Sequence, residues 1–155
     1  MQHKQRFTNV TLVTPHGEED KDLLIDGDKI VDILNPNENI SDDWKIIDGQ
    51  NNFIFPGMID VLQHGFLNYL YGHAEENCTV DNSKILPSVG VTGFLPSTPC
   101  LPPEKTKTLL NALSNDIDKA KEGARVLGIH SEGPCFALPG AHDPKNLRNP
   151  SVPLA

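Results

Sequence analysis

Apolar and polar positions alternate loosely from Phe7 to Val13, the period of a half-buried strand. Leu23-Leu24-Ile25 and Lys29-Ile30-Val31-Asp32-Ile33 then flank Asp26-Gly27-Asp28, and Asp-Gly between two apolar runs predicts a hairpin. After a polar loop over 35–43, another strand is expected from Trp44 to Ile47, ending at Asp48-Gly49. Residues 1–52 thus form a small all-β unit with too few strands to close on itself, so it should need partner strands from elsewhere. The pattern changes at Phe53. Met58-Ile59-Asp60-Val61-Leu62 is almost continuously apolar, as in a central parallel strand covered on both faces, and it ends at Gln63-His64-Gly65.

A loop over 66–77 follows, then a weak helical pattern from about Val80 to Gly90 that Pro87 must kink or shorten. Val91 to Leu95 predicts a second short strand, closed by Pro96. Pro102 and Pro103 suit a helix start, and Thr106, Leu109, Leu110, Leu113, Ile117 and Ala120 recur at helical spacing up to Gly123. A third strand, Val126 to Ile129, carries on into His130 and Glu132 before Gly133-Pro134 turns the chain. Alternate side chains share a face of a strand, so Val126, Gly128, His130 and Glu132 are expected on one side, and Asp60, Leu62 and His64 on one side of the first strand. Strand, helix, strand, helix, strand over 53–132 is the signature of a parallel α/β fold.

Composition narrows the function classes. The chain has 155 residues, 37% hydrophobic and 22% charged, as in a soluble globular protein, and no run approaches the roughly 18 apolar residues of a spanning helix. The N-terminus lacks an apolar signal core, so a cytoplasmic location is expected. A formal charge of -8 with no basic cluster argues against a nucleic-acid or anionic-membrane partner and for a small molecule. Cys78, Cys100 and Cys135 are odd in number and widely spaced, which suggests reduced, semi-buried thiols and neither a disulfide framework nor a thiolate zinc site.

Four motifs occur in series: Phe55-Pro56-Gly57-Met58-Ile59-Asp60, the stretch from Gly90 to Thr98, Leu127-Gly128-Ile129-His130-Ser131-Glu132-Gly133-Pro134, and Gly140-Ala141-His142. In this order and spacing they resemble the N-acetylglucosamine-6-phosphate deacetylases of the amidohydrolase superfamily, over nearly the whole chain. The resemblance implies part of a β-sandwich over 1–52 and, over 53–155, the first three strands of a (β/α)8 TIM-type barrel with its site at the strand C-termini. It implies metal-dependent removal of acetate from N-acetylglucosamine 6-phosphate, an amino-sugar phosphate, to give glucosamine 6-phosphate.

By the same resemblance Glu132 is the metal ligand, Ala141 and His142 bind substrate, and the cofactor is a divalent ion, zinc first. Leu62 stands where many superfamily members have the first imidazole of a His-X-His pair, so one metal per site is implied. His64 is either active-site lining or a plain strand-end histidine. His130 is expected to pack and hydrogen-bond beside the site, Asp60 to be a buried structural carboxylate, and His3, His16 and His73 to be surface residues. The family's catalytic aspartate and two histidine ligands fall beyond Ala155, so no catalytic residue is expected within the chain. The chain is expected to be an N-terminal fragment, a truncated product or one half of a split enzyme. A homo-oligomer or a second, completing chain would then supply the rest, and the isolated chain should hold zinc weakly. The alternatives are a non-catalytic fragment and another amidohydrolase acting on a cyclic amide.

Overall fold

The computed structural model describes residues 4–73 and 77–150, with the side chain of His73 excluded. His3 therefore lies outside the described residues, as does the side chain of His73. The chain divides into two compact units, Met1–Pro56 and Gly57–Ala155.

The first unit is a five-stranded sheet. Strands β1 (Lys4–Thr14), β2 (Gly17–Asp20), β3 (Asp22–Asp26), β4 (Lys29–Leu34) and β5 (Lys45–Ile54) are arranged β2-β1-β3-β4, with β5 parallel to β1. The Asp26-Gly27-Asp28 hairpin forms, with Asp26 opposite Lys29 across its turn. Its core is Val10, Leu12 and Leu23, flanked by Phe7, Ile25 and Ile54. Buried beside them, the Arg6 guanidinium pairs with Asp22, its Nε donating to Oδ2 at 2.7 Å.

One strand of this unit has no expectation attached to it, and one expectation fails. The polar stretch Gly17–Asp20, without an apolar alternation, is a strand because Thr11 to Thr14 offers it a ladder. More tellingly, β5 does not end at Asp48-Gly49. The β1/β5 register shifts between Thr8 and Val10, and Asp48 Oδ1 accepts bonds from the Gln50 backbone N–H (2.9 Å) and the Asn9 side chain (3.0 Å). Asp-Gly here marks a bulge inside a strand. Gly49 is required because a Cβ there would stand 2.0 Å from Cγ1 of Val10.

The second unit is built on parallel strands. Strand β6 (Met58–Gln63) is followed by a small hairpin, β7 (Gly65–Phe66) and β8 (Tyr69–Leu70), and a single 3-10 turn, Tyr71–His73. Helix α1 (Cys78–Ile85) gives way at Pro87 to a 3-10 turn, Leu86–Val89, as the proline predicts. Then come β9 (Val91–Thr98), α2 (Pro103–Ile117), β10 (Arg125–Val126) and β11 (His130–Ser131). β9 is central, with β6 on one side and β10 and β11 on the other, all parallel to it.

The helical face of β9 packs Phe94 against Leu109 and Leu113 of α2, with Tyr71, Leu86, Val91 and Ala124 completing the core. Asp116, buried at the end of α2, accepts a long bond from the Thr79 backbone N–H (3.4 Å), placing a carboxylate at the start of α1 where the helix dipole favours it. Among the described residues no helix is long and apolar enough to cross a membrane.

Three readings of this unit need correction. Strand β6 is not covered on both faces: Ile59 is 62% and Val61 60% exposed, and among the described residues β6 pairs with β9 alone. Asp60 is correspondingly half-buried, its Oδ1 accepting from the Leu62 N–H at 3.2 Å. Pro96 does not close β9, which continues to Thr98. The β6/β9 register slips between Asp60 and Gln63, and β9 runs on through the slip. Finally, the strand expected to be continuous up to Ile129 is broken into β10 and β11. Gly128, at a φ of 153° that other residues rarely adopt, carries the break, while the Leu127 N–H still reaches the Phe94 carbonyl at 2.9 Å.

Candidate functional site

The break in the third strand ends where His130 and Ser131 rejoin β9 opposite Ser97 and Thr98. The Glu132 N–H extends that pairing to the Thr98 carbonyl at 3.2 Å, so the carboxylate leaves from the last tethered position of the sheet. Gly133, at φ 88°, and the cis Gly133-Pro134 peptide then turn the chain away.

Two imidazoles come to Glu132. Nε2 of His64, just past the end of β6, lies 3.0 Å from Oε2, and Nε2 of His142 lies 3.4 Å from Oε1. Oε2 is sealed from solvent yet has no hydrogen-bond partner, so the close His64 contact lacks hydrogen-bond geometry. The imidazoles address opposite carboxylate oxygens and do not converge with them on one point. Among the described residues no group of three or more His, Cys, Asp or Glu side chains is placed to hold a metal ion.

His64 is set by its neighbours in sequence. The fully buried Tyr71 donates its hydroxyl to Oε1 of Gln63 at 2.8 Å and its backbone N–H to the His64 carbonyl at 3.2 Å. Burial, with a smaller contribution from Cys78, pushes the Tyr71 phenol well above the usual tyrosine range, so this donor keeps its proton.

His142 is reached by a loop that folds back. Its N–H bonds to the Pro139 carbonyl at 3.0 Å and its ring stacks on Phe136, with centroids 4.7 Å apart. Beyond it, Asp143 Oδ1 accepts from the Lys145 N–H (3.0 Å) at a 3-10 turn, Pro144–Asn146. The Asn146 side chain donates to the Cys100 carbonyl (3.0 Å), and the Arg148 N–H donates to the Pro134 carbonyl (3.0 Å), pinning the segment to the loops after β9 and β11. A cavity of about 320 Å³ lies at the start of α2, lined by Thr98, Cys100, Leu110, Glu132, Pro134 and Arg148; neither imidazole of the cluster lines it.

The other candidates separate clearly. Nδ1 of His130 lies 3.1 Å from Oγ of Ser97, whose hydroxyl donates to the Leu95 carbonyl at 3.2 Å. With its own proton directed to the Leu95 carbonyl, the Ser97 oxygen can accept from an Nδ1–H of His130. Ala141 is exposed beside His142, Leu62 is 49% exposed and His16 is exposed. Cys78 and Cys100 are buried and Cys135 is exposed, and none of the three joins the cluster. Sequence reasoning passed over Gln63, Tyr71, Ser97 and Phe136. Ser97 alone carried a signal, as a hydroxyl one residue past a proline on a strand that ends beside the motif glutamate.

No protein-family model matches the chain. It is, however, 32% identical over 152 residues to the N-acetylglucosamine-6-phosphate deacetylase of Danio rerio, covering 92% of this chain and 37% of the relative. Among solved structures, the N-acetylglucosamine-6-phosphate deacetylase from Pasteurella multocida superposes with a TM-score of 0.81 at 28% identity, over 96% of this chain and 39% of that one. The enzyme of the same name from Thermotoga maritima gives a TM-score of 0.73 at 30% identity, over 95% and 38% respectively. The chain thus spans a little over a third of the length of the relatives it matches. The family that this chain matches, along its N-terminal portion, is that of the N-acetylglucosamine-6-phosphate deacetylases.

Proposed function

We propose that the chain is the N-terminal part of a cytoplasmic N-acetylglucosamine-6-phosphate deacetylase, acting on that amino-sugar phosphate to release acetate and glucosamine 6-phosphate. One observation carries this reading: the likeness runs along nearly the whole chain, and Glu132 lies inside it with imidazoles on either side. In this reading β6, β9 and the broken β10/β11 are the first three strands of a (β/α)8 barrel. The exposed edge of β6 would be covered by later strands or by a completing chain.

Glu132 suits the role of metal ligand. It is a carboxylate on a rigid strand end, with one oxygen buried and without a hydrogen-bond donor, the state a Lewis-acid cation relieves. The described residues begin a donor set and do not finish it, since such sites usually take three protein ligands. Bound there, one divalent ion, zinc first among candidates, would lower the pKa of a water and polarise the amide carbonyl.

The chain's own residues would do the rest of the work available to them. Hydrolysis places water oxygen on the acetyl carbon and breaks its bond to the sugar nitrogen, so the substrate must lie with its acetamide near Glu132. The His142 imidazole can donate to a sugar or phosphate oxygen on that side. Ala141, small and exposed, lets a ligand approach the backbone. His130, beside Glu132 in the sequence, is held by its bond to Ser97.

The test is a chimaera in which this chain replaces the matching N-terminal portion of the Pasteurella multocida enzyme. Acetate release from N-acetylglucosamine 6-phosphate, abolished by Glu132→Gln, is the expected result. A folded chimaera without activity, or one indifferent to Glu132→Gln, would remove the reading.

A further inference from the structure

We propose that Phe136 is a positioning residue for the Glu132 site, wedged against the bare Cα of Gly133 and stacked on the imidazole of His142. Gly133 does two things here. It turns the chain at the strand end, and its missing side chain makes the seat for Phe136: a Cβ at this position would stand 2.5 Å from Cε2 and 3.1 Å from Cζ of that ring. Three residues of chain then bring the ring back over the residue next to Glu132. From the seat, the ring of Phe136 meets that of His142 nearly parallel, at an interplanar angle of 24°.

The loop between them has little else to orient an imidazole. Cys135 and Ala137 are exposed, Leu138 is 79% exposed, and Gly140 adopts a φ of 55° with open space around its Cα. His142 nonetheless keeps its side chain only 15% exposed and its Nε2 at 3.4 Å from Glu132. Backbone bonding to Pro139 fixes where the ring starts and leaves its rotation open. The aromatic stack, offset and near parallel as ring quadrupoles favour, is what sets the ring plane and so aims Nε2 at the carboxylate. The consequence for substrate contact rests on the function proposed above, but the stack itself does not.

The experiment uses the 155-residue chain at fixed pH, without metal or substrate. Histidine side-chain signals are recorded by 1H–13C NMR, with His142 identified by its loss in His142→Gln. The expected signature is an upfield displacement of the His142 ring protons relative to the urea-unfolded chain, together with cross-relaxation to the Phe136 ring. Phe136→Leu should abolish the displacement while leaving the His64 and His130 signals in place, and Phe136→Tyr should restore it. An unshifted His142 in the wild-type chain would overturn the proposal even if every variant failed to fold. So would a displacement that survives Phe136→Leu. Because the signature needs no turnover, an inactive chimaera with the stack intact would cost the functional reading alone.

Discussion

Removing one oxygen from Tyr71 should loosen the end of β6 that carries His64. The Tyr71 ring is fully buried, its hydroxyl donates to Gln63 Oε1 at 2.8 Å, and the other end of the same amide, Nε2, is buried without a partner. Tyr71→Phe keeps the ring and opens no large cavity, so the change isolates the hydrogen bond. It leaves a buried amide satisfied at neither end, at a cost of about 1–3 kcal/mol for a stranded polar group. Gln63→Leu alone takes the acceptor from the hydroxyl, leaving it only the Asn82 amide, and should cost about as much. The double variant removes the hydroxyl and both amide ends together and should lie close to the wild type, so the coupling should be the two single losses combined, about 2–6 kcal/mol, with opposite sign. Because the chain has two compact units, urea-dependent hydrogen exchange at the β9 amides is the suitable assay, reading the second unit separately. A double variant as unstable as the sum of the singles would refute the reasoning.

Three further outcomes are expected. In a Tyr69→Phe background, where Tyr71 is the sole remaining tyrosine, no phenolate absorbance should appear near pH 10 while the far-UV signal is native. The sign follows from the raised folded pKa: the contribution to stability is complete below the unfolded-state value and is lost as pH rises from there toward the folded one. Reversible ionisation near pH 10 in the folded chain would contradict this. In the first unit, Asp22→Leu strands a buried guanidinium and should cost about 3–5 kcal/mol, with most of it recovered in Arg6→Met/Asp22→Leu; Trp44 fluorescence in urea reads both. Gly49→Ala should destabilise the same unit, since Val10 occupies the space its methyl needs, and an unchanged urea midpoint would show that β5 does not bulge there.

Local chemistry made the hairpin and the helices legible. Asp26-Gly27 marks a turn because only its own residues decide it, α2 follows from a periodic apolar face, and Pro87 ends α1 for want of an N–H. The misreadings share another cause. Asp48-Gly49 and Pro96 look like strand ends in isolation, yet β1 and β9 are long enough to carry a bulge or a register slip through them. The apolar run of β6 records that this strand is built for burial, but no residue in it records by what. At the site, Glu132 could be placed at a strand end because the Gly-Pro turn follows it. The His142 contact depends on a loop folding back over Gly133, and the His130–Ser97 bond on which strand lies next to which, neither of which periodicity contains.

The central claim, that Glu132 is the first ligand of an incomplete metal site, is tested most directly by zinc binding to the purified chain and to Glu132→Gln, measured by competition with a chromophoric chelator. Weak binding that disappears with Glu132→Gln is the result predicted here. Zinc held stoichiometrically against the chelator, or bound equally by both proteins, would contradict it.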